Sequence, residues 1–227
     1  PVTGSSLNSQ LSSVPACQSI IKKAVVKRLM QGHRTTSLPE TGAEYKIRFM
    51  LRKNVCEIML DTTGDGLHKR GYRRNSMEAP IRETLAATIA DLGRVRRDSL
   101  VEDPFCGSGT LLIEAAQKAM NIAPGLKRRF AAERYSFVPA AIWAEQRQKA
   151  LADSKLDVGF EAFGYDIDPA AVALANANAK LAGVEKRCHF EVADVADFAA
   201  KSGAIVLTNP PYGERMSTIE GAAKLAR

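Results

Sequence analysis

Residues 100–110, Leu-Val-Glu-Asp-Pro-Phe-Cys-Gly-Ser-Gly-Thr, constrain the fold more than any other stretch of the chain. A short apolar run closes on an acid, crosses a glycine-rich turn and opens a helix predicted over Thr110–Met120. The same grammar repeats downstream. A strand over Ala162–Tyr165 meets Asp166, and an alanine-rich helix follows over Pro169–Ala182. A strand over Cys188–Val192 comes next, and a last one over Ala204–Thr208 runs into Asn209-Pro210-Pro211-Tyr212. Strands alternating with helices predict a parallel sheet in a doubly wound, Rossmann-like α/β domain. Residues 121–160 break the rhythm and read as an irregular, partly helical insertion.

The front of the chain follows other rules. Residues 1–15 are rich in Ser, Asn and Gly and read as a loop or frayed lead-in. From Ala16 to Met30 apolar positions recur at helical spacing, with Lys22, Lys23, Lys27 and Arg28 between them: a basic amphipathic helix. Residues 44–52 alternate, Lys53-Asn54 can turn, and Val55–Leu60 returns, which predicts a hairpin. His68-Lys69-Arg70-Gly71-Tyr72-Arg73-Arg74 is a basic loop with an aromatic in it, and a helix is predicted from Pro80 to Leu92.

Charge divides along the same line. Residues 1–100 carry 17 Lys and Arg against 9 Asp and Glu, and residues 101–227 carry 15 against 16, so the net +7 belongs to the front. Such a front suits an anionic polymer, or is simply a solvated basic surface. The four cysteines (Cys17, Cys56, Cys106, Cys188) and three histidines are scattered, which predicts reduced thiols in a cytoplasmic protein and no metal site. No apolar run approaches the ~20 residues that span a bilayer. The first residue is Pro1, not Met, so the chain is expected to begin inside a longer protein.

Four loops carry chemistry. In Asp103–Thr110, Gly107 and Gly109 let backbone approach a ligand. A third glycine is missing from the dinucleotide pattern, because that position is Leu112, and no Gly-Lys-Ser/Thr follows to cradle phosphate. An acid ahead of the turn suits a ligand bearing an ammonium group, such as the methionine end of S-adenosylmethionine; a bare structural turn is the competing reading. In Gly164-Tyr165-Asp166-Ile167-Asp168-Pro169, a carboxylate at the strand end can accept from both ribose hydroxyls. Asp166 is assigned that role and Asp168 a helix cap or a supporting one. Asp194, in Ala193-Asp194-Val195, suits an adenine amino group or is an ordinary loop aspartate.

The fourth loop is the most specific. An exocyclic base amine is a poor nucleophile because its lone pair is delocalised into the ring. The Asn209 side-chain oxygen and the Pro210 carbonyl can each accept one N–H and hold the nitrogen in an sp³-like state, without a strong base. Consecutive prolines stiffen the corner, and Tyr212 offers a face for a flipped-out base.

In this order, DPFCGSGT, GYDID, VADV and TNPPYGER resemble class I S-adenosylmethionine-dependent amino-methyltransferases. LHKRGYR (67–73), APIRETLAA (79–87) and APGLKRRFAAERYSFVPAAIW (123–143) narrow the resemblance to bacterial 23S ribosomal RNA guanine-N2-methyltransferases that carry a THUMP RNA-binding domain. The likeness covers about residues 16–216. It implies that residues 1–62 are the C-terminal part of a THUMP domain, 63–99 a basic linker and helix, and 100–227 a methyltransferase domain incomplete at its C-terminus. It further implies a cofactor site of Asp103, Pro104, Cys106, Gly107, Gly109, Thr110, Asp166, Ile167, Asp194 and Val195, with Pro80 and Glu83 over the methionine end. Catalysis would fall to Asn209, Pro210 and Tyr212, and contacts with ribosomal RNA to Lys69, Arg70, Tyr72 and Arg73.

The chain departs from that pattern at both ends. The expected sheet is truncated, of order 3-2-1-4, with an exposed edge at the last strand. Two rival readings follow: an amino-methyltransferase acting on DNA adenine or protein glutamine, or a catalytically inactive RNA-binding module with the same fold.

Overall fold

The computed structural model describes residues 1–39, 41–73 and 81–211. It forms two compact units: Pro1–Gly66 with Arg129–Glu145, and Leu67–Arg128 with the remainder from Gln146.

The first unit contains a three-stranded sheet of order β1 (Val2–Leu7), β2 (Ile47–Arg52), β3 (Val55–Leu60), with helix α1 (Val14–Gly32) against it. Ser13 caps α1 by accepting the Ala16 N–H. Cys17, Phe49 and Leu51 form its small core, with Val2, Val14 and Ile21 packed around them. The predicted hairpin is present: Lys53 and Asn54 both have positive φ, the two-residue turn whose twist matches antiparallel strands. The expectation of a loop over residues 1–15 is corrected. Residues 2–7 pair in parallel with β2, Val2 opposite Ile47. Gly4 reads as a strand breaker, yet a Cβ there would run into the Phe49 carbonyl oxygen, so the glycine permits the close approach.

Residues 129–145 pack with this unit, although the sequence reading gave it nothing beyond residue 62. The Tyr135 hydroxyl donates to the Asp61 carbonyl, and the Tyr135 ring stacks on Tyr45 with centroids 4.6 Å apart.

The second unit is built on a parallel sheet of order β6 (Cys188–Val192), β5 (Glu161–Asp166), β4 (Leu100–Asp103), β7 (Ile205–Val206). In chain order this is 3-2-1-4. Helices α2 (Glu83–Leu92), α3 (Thr110–Ala119) and α5 (Pro169–Ala182) accompany it, and α4 (Ala140–Ala152) contains the boundary between the units. Val101, Leu112, Ile113, Phe160, Ala162 and Ala175 are fully buried at its centre. β4 is buried on both faces, as its continuous apolar start requires of a central parallel strand. No helix of the described residues is long and apolar enough to cross a membrane.

Candidate active site

All four strands run parallel, so their C-terminal ends share one edge of the sheet, where an open α/β fold presents its loops to ligand. β4 ends at Asp103, and the chain turns at once. The Cys106 N–H donates to the Tyr165 carbonyl at 2.9 Å, the Gly109 N–H donates to the Cys106 carbonyl at 2.8 Å, and α3 begins at Thr110. Gly107 (φ 51°) and Gly109 (φ 77°) occupy the left-handed region. A Cβ on Gly109 would also lie 2.8 Å from Phe190 Cζ.

Asp166 ends β5 and closes this turn from the side. Its Oδ2 accepts the Gly107 N–H at 2.9 Å and its Oδ1 accepts the Asp168 N–H at 3.0 Å. Asp168 caps α5 by accepting the Ala170 N–H at 2.9 Å, the first of the two roles the sequence suggested. Asp194 follows β6 and caps a short 3₁₀ turn through the Ala196 N–H at 2.9 Å. Each of these carboxylates keeps lone pairs for a ligand.

These loops surround a cleft of about 650 Å³. Of the residues singled out from the sequence, Asp103, Pro104, Cys106, Gly107 and Thr110 line it, as do Asp166, Ile167, Asp194 and Val195. Asn209 lines the same cleft, with Pro211 beside it; Gly109 and Pro210 do not. Tyr212 and Pro80 lie outside the described residues.

Sequence reasoning missed Ile81, Phe105, Ser108, Leu111 and Ala193 on the walls. All of them sit inside or beside motifs already singled out, so extending each motif by one residue would have found them.

Burial dominates the electrostatics. Asp103 is almost fully buried, and desolvation pushes its carboxyl up to about 7; the nearby Asp166 charge adds to the rise, while hydrogen bonds from the Phe105 N–H and the Thr208 side chain oppose it. Among the described residues no cation pairs with it. Burial likewise pushes the Cys106 thiol up, which keeps it a neutral wall group.

Two groups of assignments need correction. Glu83 does not line the cleft; it is buried in an ion pair with Arg73, 3.2 Å from Nη2. Arg70, Tyr72 and Arg73 are not laid out for RNA. The Tyr72 ring is 1% exposed, and its hydroxyl donates to Glu114 Oε1 at 3.1 Å. Arg70 pairs with Glu114 Oε2 at 3.3 Å. A basic run reads as surface, but these side chains find acidic partners on α2 and α3 and fold inward. Lys69 stays exposed.

Residues 70–227 match the RMKL-like methyltransferase domain family. The chain belongs to that family. The "Putative RNA methyltransferase YpsC" of Bacillus subtilis is 42% identical over 95% of this chain and 57% of its own length. The "Ribosomal RNA large subunit methyltransferase K/L" of Shewanella baltica (strain OS195) is 41% identical over 90% of this chain and 30% of its own. Among solved structures, a protein of Listeria monocytogenes described as a "predicted N6-adenine-specific DNA methylase" superposes with a TM-score of 0.93 at 42% identity. It covers 99% of this chain and 60% of its own. SMU.472, "a putative methyltransferase complexed with SAH", gives 0.90 at 39% identity over the same shares. The chain thus spans between 30% and 60% of the length of these four proteins.

As an RMKL-like methyltransferase domain, the second unit has the class I methyltransferase fold, whose cofactor is S-adenosylmethionine, and the cleft fits that molecule. Asp103 offers a buried carboxyl that pairs with no cation among the described residues, a group that an ammonium would suit. Carboxylates at Asp166 and Asp194 stand at the ends of the next two strands, with Ile167 and Val195 as apolar walls between them.

Proposed function

We propose that this chain carries the cofactor-binding and catalytic part of an RNA methyltransferase, acting on an exocyclic base amine, guanine N2 of large-subunit ribosomal RNA. The observation that carries the reading is Asn209. This half-buried residue lines the cleft that also holds Asp103, Gly107, Asp166 and Asp194. Bound there, S-adenosylmethionine supplies an electrophilic methyl group on its sulfonium.

The remaining work falls to the protein. Asp103 takes the ammonium of the amino-acid end, Asp166 accepts from the ribose hydroxyls, and Asp194 takes the adenine amino group. The Asn209 oxygen accepts one N–H of the target amine and the Pro210 carbonyl the other, turning the nitrogen lone pair out of the ring plane. This is orientation with fixed dipoles. Asn209 is not a base, so the proton leaves after nitrogen has become cationic, when it is acidic.

RNA as the acceptor is supported by the ribosomal RNA relative and by the exposed Lys22, Lys23, Lys27 and Arg28 along α1. We assign the first unit, with its basic helix, to holding that RNA, as the C-terminal part of a THUMP domain, in a cytoplasmic protein. The DNA-methylase description of the Listeria structure supports adenine in DNA as a second reading.

Nucleoside mass spectrometry of ribosomal RNA and genomic DNA, with and without the intact gene, decides between them. Loss of N2-methylguanosine from ribosomal RNA is expected; loss of N6-methyladenosine from DNA alone would overturn the RNA reading.

A further inference from the structure

Arg73 is spent in an unusual way for a residue in a basic loop. Its Nη2 lies 3.1 Å from the Ile81 carbonyl, 3.2 Å from Thr110 Oγ1 and 3.2 Å from Glu83 Oε1. Both charged side chains are buried, Arg73 at 12% and Glu83 at 6% exposure. Two of the three oxygens belong to residues that line the cleft: Ile81 on one wall, and Thr110 at the end of the glycine turn. The third, on Glu83, pairs with the guanidinium's charge in a largely buried setting.

We propose that Arg73 is a positioning residue for the cofactor cleft, clamping the Ile81 wall to the Asp103–Thr110 turn without touching the cofactor itself. All three oxygens gather around one nitrogen, Nη2, which lies one bond beyond the point where a lysine ammonium ends, so the contacts depend on the reach of the arginine side chain. The Thr110 hydroxyl accepts from Arg73 and so has its own proton free for Ser108 Oγ, 3.2 Å away, which fixes two side chains of the turn at once. Glu83 opens α2, so the clamp also anchors the helix that follows the Ile81 wall. Just before Arg73 in the chain, Arg70 pairs with Glu114 of α3 and Tyr72 donates to the same carboxylate, which holds residues 70–72 against α3. Arg73 therefore follows directly on a segment tied to α3.

The test is calorimetric titration of the full chain with S-adenosylhomocysteine, which reads the clamp independently of any RNA. Arg73→Met is expected to weaken binding about tenfold. Arg73→Lys, which keeps a positive charge near Glu83 but ends one bond short of the Nη2 position, is expected to recover part of that loss and serves as the decisive variant if Arg73→Met does not fold. In turnover, KM for S-adenosylmethionine should rise with kcat at saturation little changed, and RNA affinity should stay within twofold of the native protein. A folded Arg73→Lys or Arg73→Met protein with S-adenosylhomocysteine affinity within twofold of native would overturn the proposal. So would a loss of RNA affinity equal to the loss of cofactor affinity, because that would return Arg73 to the RNA surface.

Discussion

Lowering the pH from 7.5 to 6 should weaken S-adenosylhomocysteine binding, with Asp103 as the cause. The carboxyl ends β4 in an almost dry site, and burial lifts it to about 7. Only the ionised form pairs with the ligand's ammonium, so apparent affinity follows the ionised fraction. With a midpoint near 7, that fraction is about three-quarters at pH 7.5 and about one-eleventh at pH 6, a fall of about eightfold in affinity. Ligand binding pulls the carboxyl back down, so close to one proton is released per complex formed near pH 6. Calorimetry at pH 6 in two buffers of different ionisation enthalpy counts that proton directly. Asp103→Asn should bind weakly at both pH values, with no slope between them. The ligand-free protein carries the opposite signature. A carboxyl raised above its unfolded value adds stability that is complete below about pH 4 and is lost as pH climbs through 7, and saturating ligand should offset that loss. A native affinity that changes less than twofold between pH 6 and 7.5, or an Asp103→Asn protein that keeps the native slope, would refute the reasoning.

Other outcomes follow from the same geometry. Asn209→Ala should reduce methyl transfer by about a hundredfold or more while S-adenosylhomocysteine affinity stays within twofold, as measured by label transfer and calorimetry. Asp166→Ala should weaken the cofactor by about tenfold or more, because the ribose loses its acceptor and the Gly107 N–H loses the bond that shapes the turn. Tyr72→Phe should cost about 1–3 kcal/mol in denaturant unfolding, since Glu114 loses a buried donor, and should leave RNA binding unchanged, as a filter assay would show.

The parallel sheet was legible because each of its strands is short, apolar and punctuated by an acid or by Asn-Pro-Pro, signals that lie within a few residues of one another. Elements that depend on distant partners were not. β1 has little strand propensity of its own; it exists because Phe49 passes over Gly4, a contact between residues 45 apart in the sequence. Residues 129–145 carry aromatic residues that signal burial, but nothing local says that Tyr135 will seek Tyr45 and Asp61. The basic loop failed for the same reason. Arg70, Tyr72 and Arg73 look exposed until Glu83 and Glu114, 10 and 42–44 residues later, are brought beside them. The cleft residues escaped this problem because a strand end in a parallel sheet has only one place to go.

Strand order then explains why the acceptor corner and the cofactor turn meet. From β4 the sheet winds outward through β5 to β6 on one side, and β7 is added on the other, so the switch point falls between β4 and β7. Asp166 and Asp194 extend the cofactor site one way, and Asn209 stands one strand spacing, about 4.8 Å, in the other direction. Had β7 been added beyond β6, Asn209 would stand about 14 Å from the Asp103 turn, too far for an amine held there to meet a methyl group bound at that turn. The hydrogen bond between the Thr208 side chain and the Asp103 carboxyl crosses this junction directly, joining the residue before the diproline corner to the acid proposed to receive the ammonium. On the proposed function, β4 is therefore the divide of the site, with the donor assigned to one flank and the base to the other.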